Sequence, residues 1–286
     1  MGKKSKRKTK TKAPVVFDYV AITSDEALFK DPPPKEDCPI CFVPMTVRLF
    51  SSASLPPATI SSVPINDFAT ANLRLKDEPM EKYYSCCGKK ICRGCVHSCW
   101  KSGNDGTCPF CNSDRNIGSD KAHKEVLNRV EANDAASIFM LADSYYHGLN
   151  GIQQDRAKAI ELFTRSADLG YSRAHYNLAV NYQGVGDLKK TKFHLEAGAM
   201  AGDEVARYNL GCMELQSGNM ERAVKHFIIA ASAGDSCSMN ILIPSFQSGR
   251  ASRETIDSTL ASYNISCAEM RSEARDAYIR FLTEST

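Results

Sequence analysis

The sequence predicts two parts of different construction: a small module organised by cysteines, followed by an all-α helical-repeat solenoid. Two observations carry this. Nine of the twelve cysteines lie between Cys38 and Cys111, whereas from about Val126 onward cysteines are sparse and Ala, Leu and Tyr recur at helical spacing. The helical part also repeats: Leu141, Leu178, Leu210 and Leu242 follow one another at intervals of 37, 32 and 32 residues. A period in this range marks a stack of helix pairs.

The length of 286 residues suggests two small domains, and 43% apolar with 24% charged residues suits a mostly globular chain. Clustered cysteines become disulfides mainly in short secreted chains that carry a signal peptide. The first twelve residues instead carry seven basic side chains with no apolar stretch behind them. No apolar run approaches the ~20 residues that cross a bilayer. The expected setting is a reducing one, cytoplasmic and/or nuclear, where grouped thiols bind metal.

Residues 1–33 are expected to form a disordered basic tail. Lys3, Lys4, Lys6, Arg7, Lys8, Lys10 and Lys12 repel one another, and nothing apolar offsets the entropy of ordering them. The net charge of +3 hides this asymmetry, because the remainder holds 29 basic against 33 acidic residues. Nuclear import, nucleic-acid contact, an anionic membrane surface and plain solubility all fit such a tail. Nucleic acid is thus a partner through the tail alone. Gly2 does not make an acylation signal, because Lys6 stands where Ser or Thr is required.

Residues 34–115 form the cysteine module, entered through the stiff run Pro32-Pro33-Pro34. A long insertion near 44–80, rich in Ser, Ala, Pro and Thr, reads as a loop. Three pairs have the spacing that places two thiolates on one tetrahedral zinc: Cys38-Pro39-Ile40-Cys41, Cys92-Arg93-Gly94-Cys95 and Cys108-Pro109-Phe110-Cys111. Cys86-Cys87 supplies a fourth group. Eight cysteines make two closed sites, so two structural Zn2+ ions are expected. Neither has an open position for catalysis.

Cys-Pro-Ile-Cys, then Cys-Cys-Gly-Lys-Lys-Ile-Cys-Arg-Gly-Cys, then Cys-Pro-Phe-Cys resemble a RING finger of the all-cysteine type over roughly residues 36–113. The resemblance implies a small zinc-bound α+β RING-like module with interleaved ligands. Cys38, Cys41, Cys92 and Cys95 would hold one ion; Cys86, Cys87, Cys108 and Cys111 would hold the other. The adjacency of Cys86 and Cys87 departs from the family, and leaves open a site in which His97 or Cys99 replaces one of them. The resemblance also implies docking of a ubiquitin-conjugating enzyme on Ile40, Trp100 and Pro109, with Phe110 either docking or packing. Asn112 follows the last ligand, where many active RING ligases carry a basic residue; Arg115 is the nearest substitute.

Residues 116–132 are a linker or first helix, and residues 133–268 the repeats. Three segments close alike: Ala167-Asp168-Leu169-Gly170, Ala199-Met200-Ala201-Gly202 and Ala231-Ser232-Ala233-Gly234. Small residues (Ala142, Ala167, Ala179, Ala199, Gly211, Ala231) let helices approach; Tyr145, Leu162, Phe163, Tyr182, Phe193, Leu195 and Phe227 fill the layers. Tyr146-His147-Gly148-Leu149-Asn150-Gly151-Ile152, Asp155, Lys158-Ala159, Leu162 and Ala167 resemble the Sel1-like family, a relative of the tetratricopeptide repeats. A fourth unit from Asp235 is degenerate: Pro244 is expected to interrupt its first helix. Residues 269–286 are expected to close the stack as a capping helix starting near Ala268. Cys212, Cys237 and Cys267 read as small apolar fillers of the repeat helices.

No nucleophile elbow, phosphate loop or zinc-protease helix is present, so no catalytic residue is assigned. Together the resemblances imply a RING-type ubiquitin-protein ligase in the ubiquitin conjugation pathway, with a substrate or adaptor protein on the repeats. The alternative is a non-catalytic zinc-binding scaffold for protein–protein interaction.

Overall fold

The computed structural model describes residues 25–42, 44–45, 81–104, 106–249 and 251–284. The basic run of residues 1–12 and nearly all of the expected insertion at 44–80 lie outside the described residues. No helix among the described residues is long and apolar enough to cross a membrane.

Among the described residues, the cysteine module holds a hairpin and a helix. Strands β1 (Glu81–Tyr84) and β2 (Lys89–Cys92) pair antiparallel, with Glu81 opposite Cys92 and Tyr84 opposite Lys89. Gly88 closes the turn between them at φ +72°, a conformation glycine adopts without strain. Helix α2 (Arg93–Lys101) follows at once, and Cys92 caps it by accepting the backbone N–H of Cys95 on its sulfur. An earlier turn, α1 (Asp25–Leu28), precedes the module in the chain.

Among the described residues ten further helices follow: α3 (Ser119–Glu131), α4 (Ala135–His147), α5 (Arg156–Asp168), α6 (Ser172–Gly184), α7 (Leu188–Met200), α8 (Glu204–Gln216), α9 (Met220–Ser232), α10 (Ser236–Gln247), α11 (Arg253–Glu269) and α12 (Glu273–Glu284). Their starts are written in the sequence. Asp134, Asp155, Asp187, Asp203 and Asp235 each cap a helix by accepting the N–H three residues on. The turns after α5, α7 and α9 are closed by Gly170, Gly202 and Gly234 at φ +87°, +87° and +97°.

The helices pack pairwise, α4 on α5, α6 on α7 and α8 on α9, with successive pairs stacked on each other. Phe163, Leu178, Leu210, Phe227 and Leu242 are fully buried between them. Gly211 lies under the Phe227 ring, where a Cβ would stand 2.8 Å from a ring carbon. That contact is what the small residues of the repeat allow.

Three expectations are corrected. Residues 25–33 are ordered rather than part of a disordered tail, because Leu28 enters an apolar cluster with Ala179, Leu195, Ala199, Ala206 and Leu210 and is 2% exposed. Burial there offsets the ordering entropy that composition alone cannot weigh. Pro244 does not interrupt a helix: α10 runs through it to Gln247. The proline removes one backbone donor, but Leu242 and Ser245 on either side are buried, and only three residues of helix follow.

The third concerns the chain's end. Helix α11, which contains Ala268, packs on α9 and α10 and closes the stack. Helix α12 instead turns back onto α2 of the cysteine module. Gly94 makes this possible, since a Cβ there would stand 2.6–2.7 Å from backbone atoms of Ala274 and Arg275. Arg275 clamps the contact by donating to the carbonyls of Pro44 (2.6 Å) and Met270 (2.7 Å). Gly94→Ala is therefore expected to displace α12, although alanine favours helix by about 1 kcal/mol. Faster amide exchange confined to 273–284, with α4–α9 unchanged, is the measurement.

Candidate metal centre

The two Cys-Pro-x-Cys loops have one shape. The N–H of Phe42 bonds to the carbonyl of Cys38 at 2.8 Å, and that of Asn112 to the carbonyl of Cys108 at 2.9 Å. Phe42 (φ +54°) and Asn112 (φ +57°) both sit in the left-handed region. Asparagine tolerates this conformation better than most side chains, which gives a backbone reason for Asn112. Cys86 and Cys87 lie on the hairpin turn, while Cys92 ends β2 as the cap of α2 and Cys95 lies on the first turn of that helix.

The fold gathers these eight sulfurs into two groups. Cys38, Cys41, Cys92 and Cys95 form one, and Cys86, Cys87, Cys108 and Cys111 the other; within each, all sulfurs lie within 4.8 Å of one another. Cys38–Cys95 and Cys41–Cys92 are 3.8 Å apart, Cys87–Cys108 3.7 Å and Cys86–Cys111 3.5 Å. A disulfide needs about 2.05 Å, so these are not disulfides. A tetrahedron of sulfurs ~2.3 Å from zinc has edges of about 3.8 Å. The donor set and its size therefore fit a tetrahedral thiolate-bound metal ion. The two groups alternate along the chain, so each bridges segments distant in sequence.

Local electrostatics favour one thiolate in each group, Cys92 and Cys111, whereas burial pushes Cys86 and Cys87 up. Cys92 is drawn down to about 4, first by its hydrogen bond with Cys95 and then by Arg275; the same interaction pushes Cys95 up. Cys111 is drawn down to about 6, first by Ser113, whose Oγ lies 3.1 Å from its sulfur. The N–H of Cys92 also points at the Cys38 sulfur, 3.5 Å away.

His97 and Cys99 join neither group. His97 is buried against Trp100, Tyr278 and Phe281, with ring centroids 5.7, 5.8 and 5.1 Å away. Ile40 (39%), Trp100 (50%) and Pro109 are exposed around the groups, and Phe110 packs edge-on against Tyr84. Sequence reasoning missed Phe42, which is 78% exposed beside Ile40. Its signal was its position after Cys41, matching Asn112 after Cys111. It also missed the bracket formed by α3. Arg115 bonds Glu125 at 2.8 Å, Ser85 donates to Glu125 at 2.9 Å, and Arg129 donates to the Ser85 carbonyl at 3.1 Å. Tyr83 meets Ser137 of α4 at 2.9 Å, and the Lys90 ammonium lies 4.8 Å above the Tyr171 ring. These contacts hold the cysteine module against the first repeats.

The repeats also form an open pocket of about 220 Å³ among α6, α7 and α8, lined by residues including Tyr176, Thr191, Asn209 and Met213. The Sel1 repeat model matches residues 135–171, 172–203 and 205–235. Residues 135–235 of the stack are Sel1 repeats. Sel1 repeats mediate protein–protein interaction. No RING or zinc-finger family matches the chain. No curated protein matches it.

Two solved Sel1-type structures are similar. One is c5321, a protective antigen present in uropathogenic Escherichia coli strains: 23% identity, TM-score 0.41, covering 55% of this chain and 38% of that one. The other is a Sel1 repeat protein from Oxalobacter formigenes: 21% identity, TM-score 0.44, covering 63% of this chain and 73% of that one. This chain thus spans well under half of the first protein's length.

Proposed function

We propose that this chain is a zinc-dependent scaffold for protein–protein interaction, in which a cysteine module and a stack of Sel1 repeats present two binding surfaces in a set relation. The observation that carries this is the pair of interleaved cysteine groups on a module bracketed by α3 and clasped by α12. Two Zn2+ ions held by Cys38, Cys41, Cys92 and Cys95, and by Cys86, Cys87, Cys108 and Cys111, would keep the module folded and leave no coordination position open. The chain then has no chemistry of its own. Its repeats take a substrate or adaptor protein, and its module takes a second partner.

A second reading, that of a RING-type ubiquitin ligase, is favoured by the exposed set Ile40, Trp100 and Pro109, where a conjugating enzyme would dock. Two observations favour the scaffold instead. Arg115, the nearest basic side chain after the last cysteine, is engaged by Glu125. Phe281 of α12 lies 5.8 Å from the Trp100 ring and shares that surface. Purified chain incubated with a panel of conjugating enzymes is expected to build no ubiquitin chains above background. Chain formation lost in both Cys38→Ser and Ile40→Ala would replace the scaffold by the ligase.

A further inference from the structure

The segment Asp25–Lys35 lies in a groove whose sides are α7 and α9 and whose floor is α8. Its contacts are specific at both ends. Asp25 pairs with Arg222, which Glu214 also engages at 3.4 Å. Leu28 fills the apolar cluster described above, and its carbonyl accepts from Arg207 Nη1 at 2.8 Å. The Phe29 ring stacks 4.7 Å from His226, with the Arg222 guanidinium at 5.4 Å and the Lys225 ammonium at 5.6 Å. Pro33 lies over Gly202, and Lys35 pairs with Glu204 and donates to the Ala233 carbonyl at 2.8 Å.

The groove is built as a reader of a segment rather than as a plain seam. Arg207 and Glu204 are both buried charges, and each spends a bond on the segment. Burial pushes the Arg207 guanidinium down to about 10 and the Glu204 carboxyl up. Such groups are costly unless partnered, and a departing segment returns them to water instead of stranding them. The segment is itself a weak element. Its helix has four residues, too few to hold alone, and of residues 25–31 only Leu28 is buried. Elements of that kind open locally at low cost.

We propose that this groove is a recognition site for a short linear segment of the pattern acid-x-x-Leu-Phe, filled here by the chain's own residues 25–35, which a protein partner bearing the same pattern displaces. Arg222 reads the acid, the cluster around Leu210 the leucine, His226 with Arg222 and Lys225 the aromatic ring, and Arg207 the backbone carbonyl between them. The inference rests on the repeats being protein-binding. It is independent of what the cysteine module does.

The test uses the full chain carrying Leu28→Ser and Phe29→Ser, which weakens the internal segment, and a labelled peptide of residues 24–36 as probe. Fluorescence anisotropy is expected to show the peptide binding this variant at least ~10-fold more tightly than the wild type, because the internal segment taxes the free groove. Arg222→Glu in the variant is expected to abolish binding, and an Asp25→Lys peptide to restore it. No binding by a variant of unchanged helicity overturns the proposal, as does a wild-type dimer in which a second copy supplies the segment. If the variant does not fold, amide exchange on the wild type decides. Residues 25–35 are expected to exchange well before α7–α9; exchange only together with them makes the segment a permanent part of the core and overturns the proposal. Should partners still be captured through residues 135–235 when the peptide fails, the scaffold stands and this site falls.

Discussion

Serine at Cys38 is expected to lower the metal content of the chain from two zinc ions to one, and to loosen the part of the cysteine module that Cys38, Cys41, Cys92 and Cys95 tie together, while the repeats stay helical. The reason is size. The module's described core is little more than its own cysteines with Met45, Tyr84 and Ile91, so few apolar contacts remain once a metal is lost. A structural zinc site is worth about 10–16 kcal/mol at neutral pH, against a total stability of roughly 5–15 kcal/mol for an ordinary domain. Cys38→Ser also removes the sulfur that faces the Cys92 N–H at the start of α2. Trp100, the single tryptophan, sits on α2 and reports the change. Its emission is expected to shift to the red on substitution or on treatment with a chelator. Far-ultraviolet circular dichroism is expected to fall only slightly, because stacked repeats depend mainly on their neighbours. His97→Ala is the control and should keep two zinc ions. Two ions retained by Cys38→Ser would show that the cysteine groups are not the sites.

Acid is expected to destabilise the repeats well above the usual carboxylate range. His175 and His194 meet through their Nδ1 atoms at 3.2 Å, with Tyr182 stacked on His194. His226 is fully buried, and neither ring nitrogen has a hydrogen-bond partner among the described residues. Burial, first of all, lowers His175 and His194 to about 4 and His226 to about 3. The sign follows from that direction. The fold prefers neutral imidazole, so the unfolded chain binds more protons below its own pKa near 6.5. Stability is complete above that value and is lost as pH falls from about 6.5 toward 4. At 1.36 kcal/mol per unit, each histidine costs about 2 kcal/mol by pH 5. A loss of 2 kcal/mol lowers Tm by roughly 4–8 °C in a domain of this size. Thermal melts at pH 7.5, 6 and 5 measure it. His226→Leu is expected to flatten the decline relative to the wild type, and equal slopes in the two proteins would count against the buried histidines as its source. The comparison between variants removes whatever acid does at the cysteines.

Much of the repeat stack was legible because its physics is local. Aspartates that cap helices, glycines that reverse the chain at positive φ, and small residues at fixed phase all act within a few positions, so a 32-residue period exposes them. The Cys-x-x-Cys loops are local in the same way. Their pairing into two interleaved groups came from a family resemblance rather than from spacing, and the structure brings those same sulfurs together.

What the sequence could not state is what each segment packs against. Leu28 and Phe29 look like two apolar residues in a polar stretch until α7, α8 and α9 supply a groove about 180 residues later in the chain. Gly94 looks like a spacer between Cys92 and Cys95 until α12 lies across it. Pro244 reads as a breaker because propensity is counted one residue at a time, whereas burial of Leu242 and Ser245 is decided by the neighbouring helices. By itself, then, the sequence determined the repeat, the capped starts of its helices and the paired spacing of the thiols, since those follow from bonding within a few residues. Tertiary structure alone decided that both ends of the described chain fold back, one onto the repeats and one onto the cysteine module. Those contacts depend on surfaces that no short stretch contains.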